Sequence, residues 1–217
     1  MDTKLKKWIE WLKIIESEIY DLIITKDIFW QVQDLIKKNK KIQEPGVFNK
    51  YMGDTYISHV IIGIRRQVKE DNQSISFARL LLDINKDPEK VTRDYLVSLY
   101  KGSAVEDIAD NDFDQFCGEN RSYISHKMVK ADLNSFIQAA NKCEEFADKH
   151  IAHRDKRDPK RLLKFEDVDD CIDCFDKLYC KYHLLFHAEW IDSLQPSYLI
   201  DWKAVFDHPW RVPENGI

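Results

Sequence analysis

Apolar residues recur at steps of three and four along most of this chain, and the breaks in that rhythm divide it into helices. Leu5, Trp8, Ile9, Leu12, Ile15, Ile19 and Leu22 follow the step, with Lys and Glu between them, which predicts an amphipathic helix over Asp2 to Ile24. Thr25 stands where an N-cap would, so a second helix is expected through Ile28, Phe29, Val32, Leu35 and Ile36. Lys37, Lys38, Lys40 and Lys41 lie at its end, where the helix dipole favours cations. Pro45-Gly46 then breaks the chain. From Val47 to about Glu70 the pattern changes, because between Tyr56 and Ile64 only Ser58 and His59 are polar. A helix apolar nearly all round is expected in the middle of a bundle. Arg65 and Arg66 follow that stretch at once, two cations that need partners.

Further along, Ser74 is read as the cap of a short helix through Phe77, Leu80, Leu81 and Ile84 that Asp87-Pro88 ends. Thr92 caps another through Leu96 and Leu99, stopped by Gly102. Ser125 caps a long helix to about His153, with Val129, Leu133, Phe136, Ile137, Ala140, Cys143, Ala147 and Ile151 on one stripe. A second face carries Met128, Ser135, Ala139, Phe146, His150 and His153 and suggests a contact with something besides the core, such as a second subunit. A last long helix is expected from about Glu166 to Asp192, with acids in its first turns. No stretch alternates long enough to demand a sheet, and six Gly and six Pro in 217 residues leave little turn chemistry for one. The expectation is an all-α bundle of seven or eight helices in one domain. Residues 1–44 would form an N-terminal helical pair, 45–192 a core bundle, and 193–217 a tail packing on the surface.

Composition narrows the function classes. Apolar residues at 44% and charged ones at 33% describe a globular chain with a heavily solvated surface. A net charge of −5 argues against a protein that coats nucleic acid wholesale, though not against a local basic patch. The N-terminus lacks the pattern of a signal peptide, and the run from Tyr56 to Ile64 is too short for a membrane span. Five Cys, an odd number, are read as reduced thiols. The location expected is the cytoplasm, with no membrane partner.

Three clusters carry candidate chemistry. Cys171, Cys174, Cys180, His183 and His187 look like metal ligands. On one helix, however, Cys171 and His187 stand about 24 Å apart at about 1.5 Å per residue, so they cannot converge on one ion. A His183/His187 pair completed from another helix stays open as an alternative, but neither a metal nor another cofactor is assigned. Asp107, Asp110 and Asp114 could face one cation or form a solvated face. The third cluster is Phe146-Ala147-Asp148-Lys149-His150-Ile151-Ala152-His153-Arg154-Asp155, which leads into a basic segment containing Arg157. A His beside several cations can act as general acid or base in phosphodiester cleavage, and neighbouring Arg or Lys can stabilise charge on the phosphate. A helix-end His in a solvated loop is the plainer alternative.

Asp148 to Asp155 resembles the signature of HEPN-type proteins, Arg-polar-x-x-x-His. Gly63-Ile64-Arg65-Arg66 and Ser74-Ile75-Ser76-Phe77-Ala78-Arg79-Leu80-Leu81 around it are similar to the AbiU-type branch linked to abortive infection. The likeness covers roughly Val47 to Leu185. It implies a helical bundle, commonly a homodimer, and a metal-independent ribonuclease with Arg and His in a cleft between subunits. Carried over, His153 takes the family's His position and Lys149 its polar position, while Asp148 stands where the Arg belongs. A carboxylate cannot do a cation's work at a phosphate. Either the cation comes from Arg65, Arg66, Lys149 or Arg154, with Arg65, Arg66, Arg154 and Arg157 binding the RNA phosphates, or the chain is a catalytically silent regulatory or protein-interaction module. In the first case RNA is the expected partner.

Overall fold

The computed structural model describes residues 2–42, 46–152 and 163–208, with backbone alone for 150–152. Seven α-helices account for most of these residues: α1 Thr3–Lys38, α2 Val47–Gln67, α3 Phe77–Lys86, α4 Arg93–Tyr100, α5 Ala109–Cys117, α6 His126–Phe146 and α7 Phe165–His187. Among the described residues there is no strand, only an isolated bridge between Thr92 and Tyr123. No described helix is long and apolar enough to cross a membrane. The all-α expectation holds.

Hydrophobic spacing dictates which faces meet. Leu5, Trp8, Leu12, Ile15, Ile19 and Leu22 form the buried stripe of α1, which lies against α2, α3 and α7. Phe136 of α6 stacks on Phe175 of α7 with centroids 4.0 Å apart, and Phe77 of α3 meets Phe136 edge-on at 5.1 Å. Burying aromatic rings in these geometries adds to the area term. Trp8, Asp83 and Gln67 carry their polar groups inside with partners. The buried Trp8 indole donates to Asp83 Oδ2 at 3.0 Å, Lys7 reaches the same oxygen at 2.9 Å, and the buried Gln67 side chain accepts from Phe77 N–H at 3.1 Å. That last bond ties the end of α2 to the start of α3.

Three local expectations change. The N-terminal pair is one helix, because α1 runs through Thr25 without a break and Ile23 and Phe29 continue its contact with the core. The cap of α3 is Ser76, not Ser74. Ser76 Oγ accepts from Arg79 N–H at 3.1 Å, whereas the Ser74 hydroxyl is taken by Asp71. Finally, α2 is not enclosed. Tyr56, Val60, Ile61 and Ile64 are buried, but Ile62 is 46% exposed and Ser58 and His59 face solvent. Its inner side does come close to α1: a Cβ on Gly63 would stand 2.6 Å from Leu22 Cδ2.

Candidate functional site

The end of α2 and the end of α6 form a cluster of opposite charges. α6 gives way after Phe146 to a π-helical turn, Ala147–Ala152. Such a turn holds an extra residue and re-aims the side chains after it, a feature frequent at functional sites. Arg65, half-buried at the last turn of α2, donates from Nη1 to Asp148 Oδ1 in that π turn, and its Nε lies 4.0 Å from Glu144 Oε1 on α6. The hydrogen bond from Arg65 to Asp148 raises the guanidinium pKa further, against a small opposing effect of burial. Burial pushes the Glu144 carboxyl up, Arg65 pulls it down, and Asp148 beside it pushes it up again. Glu144 Oε1 is buried with no hydrogen-bond partner among the described residues.

The candidates read from the sequence do not all gather here. Arg65 and Asp148 meet directly. Lys149 follows in the same π turn and pairs with Glu145 at 2.5 Å. Arg66 leaves the group, because adjacent residues on a helix point about 100° apart. It turns toward α1, with Nε 3.4 Å from Glu18 Oε2. His153, Arg154 and Arg157 lie outside the described residues. Glu144 and Glu145 were not singled out in the sequence, although each stands four residues before a candidate, Asp148 and Lys149, the spacing at which helical side chains meet. Of the second α6 face, Ala139 and Phe146 pack partly on the chain's own core, while Ser135 is exposed.

The other two clusters resolve differently. Arg93 of α4 donates to Asp110 at 2.7 Å, to Asp114, and to the Arg121 carbonyl at 2.9 Å, so the acidic stretch is built around a guanidinium. No three His, Cys, Asp or Glu side chains among the described residues are placed to hold a metal ion. His183 and His187 do lie together, rings 4.7 Å apart, with His183 Nδ1 3.1 Å from Tyr179 Oη and Nε2 3.5 Å from Glu189. Burial and the neighbouring His183 lower the His187 pKa. Cys171 and Cys180 are poor nucleophiles. Hydrogen bonding with Cys143 and burial push Cys171 far up, and burial pushes Cys180 up to about 12.

Compared with known proteins, the chain matches the family model HEPN_AbiU2, described as AbiU2, over residues 5–205. No curated protein matches the chain, and no solved structure does.

Proposed function

The chain belongs to the HEPN_AbiU2 family, and from that premise we propose that it acts on RNA in a defence or stress system as a metal-independent endoribonuclease. One observation carries this reading: the guanidinium of Arg65, from α2, is held against residue 148, where the family signature has its own Arg. The cation absent from the motif is thus supplied by the neighbouring helix. In the proposed reaction a ribose 2′-hydroxyl attacks the adjacent phosphorus and the 5′-oxygen leaves. His153 takes the hydroxyl proton or returns one to the leaving oxygen. Arg65 and Lys149 face the charge that develops on the phosphate. Arg154 and Arg157 follow His153 in sequence and are assigned to the RNA backbone. Two copies of the chain are proposed to share the cleft in the cytoplasm.

Incubating the purified protein with mixed RNA in EDTA tests the reading. Cleavage leaving 2′,3′-cyclic phosphate ends is expected, with a loss of about a hundredfold to ten-thousandfold in His153→Ala. No cleavage, or cleavage indifferent to that substitution, removes the enzyme. A second reading, the silent interaction module, is favoured by a different observation. Arg65, Arg66 and Lys149 are each already paired with a carboxylate: Asp148, Glu18 and Glu145. In that case neither cleavage nor RNA binding is expected.

A further inference from the structure

The two carboxylates facing Arg65 are not equivalent. Asp148 stands outside, its side chain 63% exposed, and takes the Nη1 edge of the guanidinium. Glu144 stands inside at 34%, with Oε1 sealed from water 4.0 Å from Nε. A guanidinium presents its donors in a rigid fork, so two oxyanions can hold it along different edges at once. The edge open to an incoming anion is the solvent-facing one, and Asp148 occupies it. An exposed pair of this kind is weak, since water and salt compete for both partners. A phosphodiester can therefore displace Asp148 without unseating Arg65, provided the inner carboxylate, its Oε1 now 4.0 Å away and without a hydrogen bond among the described residues, closes on the guanidinium. Glu144 is suited to that. It projects from the last turn of α6, ahead of the π turn, and faces Arg65 from the side away from solvent.

We propose that Asp148 is a built-in competitor for RNA phosphate at Arg65, and that Glu144 is the positioning residue that holds the guanidinium when Asp148 lets go. The inference rests on the reading of Arg65 as a phosphate-binding group and adds a brake to that site. Binding is tunable by whatever neutralises one exposed carboxylate.

Fluorescence anisotropy of a labelled short oligouridylate, titrated with the full chain in EDTA over a range of salt, tests both roles. Asp148→Asn is expected to tighten binding about three- to fivefold, the worth of an exposed pair. It should also steepen the dependence of log K on log salt by about 0.7, one added phosphate contact on a single strand. In Arg65→Ala the gain from Asp148→Asn should vanish. Glu144→Gln should weaken binding although it too removes a negative charge, and its thermal midpoint separates this from unfolding. Equal tightening by Asp148→Asn and Glu144→Gln would mean general electrostatics and overturns the division of roles. A gain that persists without Arg65 overturns it as well. If the wild type cleaves RNA through His153 while Asp148→Asn changes nothing, the brake falls and the ribonuclease stands. If Asp148→Asn gains Arg65-dependent binding while no variant cleaves, the brake stands and the ribonuclease falls.

Discussion

At Gly63 two effects of known size oppose each other. Alanine there would gain about 1 kcal/mol of helix propensity. Its Cβ, however, would sit 2.6 Å from Leu22 Cδ2, a methyl of a buried side chain that would have to shift within the core. Overpacking of this kind costs about 1–3 kcal/mol, so Gly63→Ala is expected to lose about 1 kcal/mol net by urea denaturation. In a Leu22→Ala background the sign should reverse, because the clash is gone and the propensity remains. Asp83 is decided by its partners. Burial works to raise its pKa, but hydrogen bonds from Trp8 and Lys7 outweigh that and hold it below its ordinary value. The folded state thus favours the carboxylate, so its contribution is complete above the ordinary aspartate range and disappears as pH falls through about 4 and below. Asp83→Ala leaves the Trp8 N–H buried without an acceptor and should cost about 2–4 kcal/mol at pH 7. The variant's denaturation midpoint should also depend less on pH in the acid range than that of the wild type.

The helices themselves were largely legible as elements, because the three-and-four spacing that buries one face also specifies the helix. Thr92 and Ser125 cap where the sequence placed them, each accepting a backbone N–H: Tyr95 for Thr92 and Met128 for Ser125. Errors fell where two local signals competed. Thr25 has the chemistry of an N-cap, but the apolar stripe runs through it from Leu22 and Ile23 to Phe29, and packing along that stripe outweighs a cap worth about 1 kcal/mol. Continuity makes a direct test at Lys26. Proline is tolerated at the first position after a true cap, whereas inside a continuous helix it costs about 3 kcal/mol or more. Lys26→Pro is therefore expected to destabilise strongly in thermal denaturation. Lys26→Ala is the control for the contacts its amine makes with Asp173 and the Asp169 carbonyl. The candidate site was legible only by halves. A motif shows that residues 148 to 153 belong together, but nothing local reveals that Arg65, 83 positions earlier in the chain, closes on Asp148. Tertiary contacts of that span leave no periodic trace. The inner role of Glu144 depends on them.

At the scale of the whole molecule, the first and last of the seven helices lie side by side, α1 against α7. Lys26 and Trp30 of α1 reach Asp173 and Asp169 of α7, and Gln195 and Tyr198 beyond α7 return to Asp27. This arrangement bears on how the chain is made. A ribosome releases α1 first and α7 near the end, at about 5–20 residues per second. The stripe from Leu5 to Ile23 must therefore spend on the order of ten seconds in the cell without one of its principal neighbours. During that interval the nascent segment is a long, sticky, half-covered rod. Docking of the final helix, rather than formation of the first, is the event that completes its cover.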